Sequence, residues 1–248
     1  FYPTPNKPIA PAMAVFTHGY TSHKGSLLTW ASRLVEMGIP CAIFDLPGHY
    51  LGSINHVENF NEFTDHSHEL FFEVFESLKC HLKSTEVDLN PNESKIILGG
   101  HSLGAMLSLK AMGSDYFSKF PNKLAITVGL GISNLDAKHL FEMPLYKSVM
   151  EIRGQLISKE LDPVNLFPWL HREKENIALK DTKIHMIVGD DDLVIKPKGA
   201  EKMKANLEKN GNQVTLEVPR TLPHHLPENA GSYVKAFLKK ERIIRPSC

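Results

Sequence analysis

The sequence predicts one α/β domain built on a doubly wound, mostly parallel sheet of about six strands. Three observations lead to this prediction. The chain has 248 residues, a length at which a single α/β domain is common. Short apolar runs alternate with stretches in which apolar residues recur every three or four positions, the mark of helices. Most of the short runs are continuously apolar, which is typical of parallel strands buried on both faces.

The predicted elements follow one another in regular alternation. Strands are predicted at residues 12–17, 41–45, 95–99, 124–129, 184–189 and 213–218. Helices are predicted at residues 26–37, 62–84, 103–112, 197–210 and 230–240. Gly211 after Asn210 is a good stop for the fourth of these helices. Strand–helix alternation of this kind favours right-handed crossovers.

One stretch interrupts the alternation between the fourth and fifth strands. It is much longer than a crossover made of a single helix. We predict a helical cap inserted in this one domain at about residues 137–180, and the alternative is a pair of helices that only covers the sheet edge. Apolar side chains in this stretch predict an apolar acyl or aromatic substrate, although they could equally pack the cap on the core; they are Phe141, Met143, Leu145, Tyr146, Met150, Phe167 and Trp169.

Composition argues against several classes of partner and compartment. Twenty-eight Lys and Arg balance 28 Asp and Glu, so the chain lacks the basic excess that binds nucleic acid or anionic membranes. No apolar run is long enough to span a bilayer, and no signal peptide is evident. The three cysteines are an odd number without a CxxC spacing, which predicts a reducing, cytoplasmic location. Secretion and the oligomeric state remain open.

The strongest motif surrounds Ser102. Gly100-His101-Ser102-Leu103-Gly104 is a G-x-S-x-G sequence between the third predicted strand and an apolar helix. A sharp turn there would hold the serine above the carboxyl edge of the sheet, and the two glycines would prevent collisions with neighbouring backbone. We therefore predict that Ser102 is a nucleophile. The alternative is a glycine-rich helix entry with an idle serine.

A second loop is placed to stabilise an anion. His18, Gly19 and Tyr20 follow the first predicted strand. The backbone N–H groups of Tyr20 and Leu103 would together form a two-donor oxyanion hole. We expect His18 to be a structural group that fixes this loop. A plain β-turn is the alternative interpretation of the His-Gly pair.

Three segments in this order and spacing resemble the α/β-hydrolase superfamily, and more narrowly its small bacterial serine esterases. They are HGYTSHKGS from residue 18, FDLPGHYLGS from residue 44 and GGHSLG from residue 99. The resemblance extends from about residue 12 to 240. It implies a Ser-acid-His triad, hydrolysis of carboxylic esters and no cofactor or metal. The loop at residues 48–53 is two residues longer than the usual family pattern.

The resemblance also implies where the acid and the histidine lie. The acid follows the fifth strand, and the family spacing selects Asp192, with Asp190 as the second candidate and the remaining carboxylates as solvated loop residues. The histidine follows the sixth strand, where His224 and His225 are adjacent. The sequence does not separate these two, and the family's usual glycine before the histidine is Pro223 here.

Other functions compete with the esterase. Zinc ligands are available at Asp65, His66, His68, His56 and residues 190–192, but helical positions two apart do not face one direction, so no tetrahedral set results. A non-catalytic binding protein of the same fold is a second alternative. Lyases, perhydrolases, C–C hydrolases and peptidases with the same triad form a third.

Overall fold

All six predicted strands are present. The computed structural model describes residues 1–3, 8–87, 89–132, 148, 151–241 and 243. The strands are β1 Ala12–Thr17, β2 Cys41–Phe44, β3 Lys95–His101, β4 Lys123–Val128, β5 Lys183–Ile187 and β6 Gln213–Glu217. Their ends differ from the prediction by no more than about two residues, the usual uncertainty of strand boundaries.

The order of the strands determines where a ligand site is expected. The sheet runs β2-β1-β3-β4-β5-β6, and every neighbouring pair is parallel. The chain first moves outward from β1 to β2 and then crosses back to place β3 on the other side of β1. Open α/β sheets bind ligands outside the carboxyl ends of their strands at such a reversal. Here, that position lies between the ends of β1 and β3.

Helices cover both faces of the sheet. After a 3₁₀ turn at Lys24–Leu27 come α1 Leu28–Val35, α2 Phe60–His66, α3 Leu70–Ser84, α4 Leu103–Met112, α5 Asp115–Ser118, α6 Pro163–Glu175, α7 Pro197–Lys209 and α8 Gly231–Lys240. On one face, α1 and α8 pack on alternate strand residues such as Ala14 and Phe16. On the other face, α3, α4, α6 and α7 pack on the intervening residues, among them Met13 and Val15. The doubly wound prediction is confirmed.

The single helix predicted at residues 62–84 is wrong, because two helices occupy that stretch. Asn59 caps α2 through a hydrogen bond from the Glu62 N–H, 3.0 Å long. The helix then stops at His66, and a turn leads into α3 at Leu70. Thr, Asp and Ser near this break are weak helix formers whose side chains compete for backbone hydrogen bonds. The Thr64 hydroxyl donates to the Asn61 carbonyl oxygen in this way.

Part of the predicted cap is described and packs on the main domain. Of residues 137–180, only 148 and 151–180 are among the described residues. Two 3₁₀ turns, Gly154–Leu156 and Lys159–Leu161, lead into α6. The Tyr50 N–H donates to the Leu156 carbonyl, and the Ser158 N–H donates to the Gly48 carbonyl, at 2.8 and 2.7 Å. These two hydrogen bonds join the segment to the loop after β2. That the segment caps a substrate pocket stays a prediction.

The described helices and cysteines can be compared with the expectations drawn from composition. Within the described ranges, no helix has both the length and the apolar character that crossing a bilayer requires. Cys41 and Cys80 are free thiols, the first buried and the second exposed. Burial raises the pKa of the Cys41 thiol to about 12, so this cysteine is a core residue without thiolate chemistry at neutral pH.

Candidate active site

Ser102 lies on a strained turn between β3 and α4. Its backbone has φ 49° and ψ −108°, a conformation that a residue with a side chain rarely adopts. A Cβ on Gly100 would lie 2.3 Å from the Thr17 carbonyl oxygen, and one on Gly104 would lie 2.4 Å from that of His18. The glycines of the motif are therefore required by the close approach of β1 and its following loop.

A continuous chain of hydrogen bonds joins Asp192, His224 and Ser102. The His224 Nε2 atom lies 3.1 Å from the Ser102 Oγ atom, and its Nδ1 atom lies 2.8 Å from the Asp192 Oδ2 atom. Asp192 is buried, and its Oδ1 atom accepts hydrogen bonds from the N–H groups of Val194 and Ile195, each 2.8 Å long. The carboxylate is thus held in one orientation, and so is the imidazole that it contacts.

The structure brings only one of the two candidate histidines to Ser102. His225 is exposed to solvent, whereas His224 points inward between Ser102 and Asp192. Gly129, at the end of β4, has φ 65°, and a Cβ there would lie 3.0 Å from the His224 ring. A side chain at residue 129 would therefore crowd the imidazole.

The neighbours of Asp192 differ in role, although both side chains are exposed to solvent, as expected of loop residues. Asp191 also makes a contact that sequence reasoning missed. Its carboxylate accepts a hydrogen bond from the Leu222 N–H, 2.7 Å long, and so ties the loop after β5 to the loop that carries His224. Asp190, the second candidate for the acid, is exposed, and only its backbone N–H bonds that loop, at the Pro219 carbonyl.

His18 fixes the loop that follows β1. Its Nδ1 atom lies 2.8 Å from the Gly19 carbonyl oxygen, and its Nε2 atom accepts a hydrogen bond from the Leu46 N–H. Desolvation, assisted by the neighbouring His49, lowers the pKa of His18 to about 3. The Asp45 carboxylate lies 3.8 Å from Nε2, but because Nε2 is the acceptor of a neutral ring, this contact is not an ion pair.

This loop lies directly beside Ser102. A Cβ on Gly19 would be 3.2 Å from the Ser102 Cβ atom and 2.5 Å from the His101 Nδ1 atom. The two backbone N–H groups predicted to bind an oxyanion, those of Tyr20 and Leu103, therefore belong to segments that meet at Ser102. Neither has a hydrogen-bond acceptor in the described part of the chain.

Sequence reasoning missed two features, one at Tyr20 in this loop and one at Asp45, which follows β2. The Tyr20 hydroxyl donates a 2.8 Å hydrogen bond to the Leu161 carbonyl oxygen, so the side chain links the loop to the segment before α6. Asp45 accepts hydrogen bonds from Lys24 and Ser53, through backbone and side chain of both. Burial alone would raise the pKa of Asp45, but these hydrogen bonds outweigh it and lower the pKa to about 2.

The zinc ligands considered from the sequence are not brought together. Among the residues that the structure describes, no three His, Cys, Asp or Glu side chains are grouped so that they could hold a metal ion. His66 instead pairs with Glu69 on the protein surface, with 3.0 Å between the His66 Nδ1 and Glu69 Oε2 atoms.

Comparison with known proteins identifies the family. The model of the family described as "Serine aminopeptidase, S33" matches residues 9–181, more than half of the chain. The chain belongs to this family of α/β hydrolases. The superfamily inferred from the three motif segments is therefore confirmed. No curated protein matches this hydrolase significantly in sequence.

Solved structures of other hydrolases share the fold. An esterase from Pyrococcus furiosus is 20% identical with a TM-score of 0.61, over 93% of this chain and 82% of its own. A monoacylglycerol lipase from Paleococcus ferrophilus is 15% identical with a TM-score of 0.60, over 95% of both chains. A monoglyceride lipase variant from Saccharomyces cerevisiae, bound to a substrate analog, is 13% identical with a TM-score of 0.59, over 96% and 90%. Identities this low establish the fold alone.

Proposed function

We propose that this hydrolase cleaves carboxylic esters through an acyl-enzyme on Ser102. The observation that carries the proposal is the hydrogen-bonded chain from Asp192 through His224 to Ser102. A serine hydroxyl is a weak nucleophile until a neighbouring base removes its proton. A base held in one tautomer by a buried carboxylate meets that need without a metal or cofactor.

In the first half-reaction, the Ser102 Oγ atom attacks the ester carbonyl carbon while its proton moves to the His224 Nε2 atom. Asp192 keeps the Nδ1–H of the ring in place and stabilises the imidazolium that forms. The negative charge on the carbonyl oxygen is taken up by the Tyr20 and Leu103 amides. When the tetrahedral intermediate collapses, the C–O bond to the alcohol breaks, and His224 returns the proton to the leaving oxygen.

In the second half-reaction, water takes the place of the alcohol. His224 removes a proton from this water, whose oxygen attacks the carbonyl carbon of the acyl-enzyme. Collapse of the second intermediate breaks the bond between the carbonyl carbon and the Ser102 Oγ atom, and His224 reprotonates that oxygen. The carboxylic acid leaves, and the enzyme returns to its starting state.

Small apolar esters are the substrate class that we propose. Solved structures with the same fold include an esterase, a monoacylglycerol lipase and a monoglyceride lipase, and these names support an ester as the substrate. The description of the matching family favours a second candidate, the release of amino acids from peptides. Both reactions would use the same triad, so only the leaving group and the substrate pocket differ.

Parallel assays on two substrate series decide between these candidates. We expect p-nitrophenyl esters of short and medium acyl chains to be cleaved and amino-acid p-nitroanilides to remain at their uncatalysed rate of hydrolysis. Cleavage of the anilides is the decisive reading, because p-nitrophenyl esters are intrinsically far more reactive and a peptidase would cleave them too. Enzymatic cleavage of the anilides would assign the protein as a peptidase, and no turnover of either series with no labelling by a fluorophosphonate would favour a binding protein.

Asp191 and Asp190 supply a matched pair for testing the loop that carries His224. In D191A, the Leu222 N–H loses its acceptor, and we expect kcat/KM for the best ester to fall by about tenfold, because His224 is less firmly placed. D190A removes an equal charge from the adjacent exposed residue and should remain near the wild-type value. Equal losses in both variants would show that loop charge, and not the Leu222 contact, sets the rate.

A further inference from the structure

Tyr20 connects the loop after β1 to two other segments of the chain. Its backbone N–H is one of the two proposed oxyanion donors, while its hydroxyl donates to the Leu161 carbonyl oxygen, 2.8 Å away. Its ring meets Phe167 of α6 edge-on, with 5.5 Å between the ring centroids. The same ring meets His49 edge-on at 6.2 Å. One side chain thus joins the loop beside Ser102 to the loop after β2 and to the segment that contains α6.

Both partners of this hydrogen bond are well defined. Burial, assisted by the Asp162 carboxylate, raises the pKa of the Tyr20 hydroxyl, so it keeps its proton and acts as a donor. The acceptor residue, Leu161, is fully buried. The Leu161 N–H donates to the Ser158 carbonyl, and the Ser158 N–H donates to the Gly48 carbonyl, at 3.0 and 2.7 Å. The acceptor is therefore held against the loop after β2.

The backbone directly after Tyr20 is strained. Thr21 has φ 61°, in the left-handed region that a β-branched residue rarely adopts. The Ser22 N–H donates to the Gly19 carbonyl over 3.2 Å and closes a tight turn around Tyr20 and Thr21. Such backbone persists only where surrounding contacts hold it. Among the described residues, the bond from Tyr20 is the one by which a side chain of residues 19–23 donates to a distant segment.

We propose that the Tyr20 side chain is a positioning group, which holds the loop after β1 through Leu161 so that the Tyr20 N–H stays aimed at the oxyanion. This role rests on the proposed function, in which the Tyr20 and Leu103 amides share that charge. Because the acceptor lies just before α6, the oxyanion hole is complete only while this segment is seated on the loop after β2. In this role, the hydroxyl does not contact the reacting atoms.

Loss of the hydroxyl is expected to weaken binding of the transition state more than binding of the substrate. Y20F keeps the ring and the backbone N–H and removes only the hydrogen bond to Leu161. An amide that is less firmly aimed stabilises the tetrahedral oxyanion less. We expect kcat/KM for a p-nitrophenyl ester to fall by about three- to tenfold, the effect of losing one neutral hydrogen bond. Removal of an oxyanion donor itself costs about 10²- to 10³-fold.

Two ketone inhibitors separate positioning of the donor from packing of the pocket. The Ser102 Oγ atom adds reversibly to a trifluoromethyl ketone, its proton passes to His224, and the product carries a tetrahedral oxyanion. The methyl ketone with the same acyl chain binds without this addition. In Y20F, the Ki of the trifluoromethyl ketone should rise by the same factor by which kcat/KM falls, and the Ki of the methyl ketone should stay at the wild-type value.

Two further variants complete the test. Y116F also removes a tyrosine hydroxyl that donates to another helix, at the Glu76 carboxylate of α3, and should leave kcat/KM and both Ki values unchanged. L161A shortens a fully buried side chain that packs against Gly48 and so loosens the carbonyl acceptor. It should raise the Ki of the trifluoromethyl ketone in the wild-type background and add little in Y20F, because both changes act through one contact. Circular dichroism and thermal melts establish that each variant is folded.

Three outcomes would overturn the proposal while the proposed function stands. Wild-type constants in folded Y20F would show that the hydroxyl does not position the donor. Equal increases in both Ki values would assign the side chain to the substrate pocket. A loss of about 100-fold or more would mean that the hydroxyl binds the oxyanion directly. If the wild type neither reacts with a fluorophosphonate nor binds the trifluoromethyl ketone more tightly than the methyl ketone, the proposed function itself fails.

Discussion

Replacement of Ser102 by alanine is expected to lower kcat for an activated ester by on the order of 10⁴ to 10⁶. The substitution removes the single oxygen that attacks the substrate and accepts the acyl group. Residual turnover would come from the oxyanion donors and from substrate binding alone. The backbone conformation at residue 102 is equally unusual for serine and alanine, so we expect the fold to be kept. Initial rates and intact-protein mass after fluorophosphonate treatment provide the measurement.

Ser108 is the matched control for this experiment. It lies on α4, the helix that begins directly after Ser102, is fully buried, and its hydroxyl donates to the Ala105 carbonyl oxygen, 2.7 Å away, without touching Asp192 or His224. S108A removes a hydroxyl oxygen from this neighbouring helix and should keep the activity and the labelling of the wild type. Unaltered ester hydrolysis by S102A, or labelling of that variant at the wild-type rate, would show that Ser102 is not the nucleophile.

The adjacent histidines provide the second large prediction. H224A is expected to lose nearly as much activity as S102A and to stop reacting with the fluorophosphonate, because members of a triad act as one unit. The hydrogen bonds at both ring nitrogens of His224 explain why no other residue can substitute for it. H225A, which shortens an exposed neighbour in the same loop, should label and turn over like the wild type.

Two results would contradict this assignment of roles. Loss of labelling in H225A, with H224A active, would mean that the loop after β6 adopts another arrangement in the working enzyme. Normal labelling in both variants would mean that the base lies elsewhere in the chain. The two residues are adjacent and chemically identical, so a general effect of removing a histidine from this loop would be the same in both variants. A difference in activity between H224A and H225A therefore reports the role of the individual residue.

Much of the fold could be predicted from local patterns. Continuous apolar runs identified all six strands, since a strand covered on both faces needs apolar side chains at every position. The same reasoning failed at residues 62–84, where the apolar spacing continues from α2 into α3 although the helix is interrupted. Side chains near the interruption compete for the backbone hydrogen bonds that would continue α2. Apolar periodicity shows that one face of a stretch is apolar. It does not detect a short turn after which the apolar residues continue on the same face.

Parts of the candidate site followed from sequence for a similar reason. The motif around Ser102 is local, and the same sharp turn requires both of its glycines. The contact of Asp191 with the Leu222 N–H was not predictable in this way, because it joins residues 31 positions apart.

The sequence by itself determined the alternation of strands and helices, the turn at Ser102 and the loop that carries Tyr20, because each depends on residues only a few positions apart. Only the tertiary structure brought His224, and not the adjacent His225, within hydrogen-bond distance of Ser102 and Asp192. The His224 contacts join residues 122 and 32 positions apart, and no local periodicity encodes them. They arise because all neighbouring strands are parallel, which brings the carboxyl ends of β3, β5 and β6 to the same edge of the sheet.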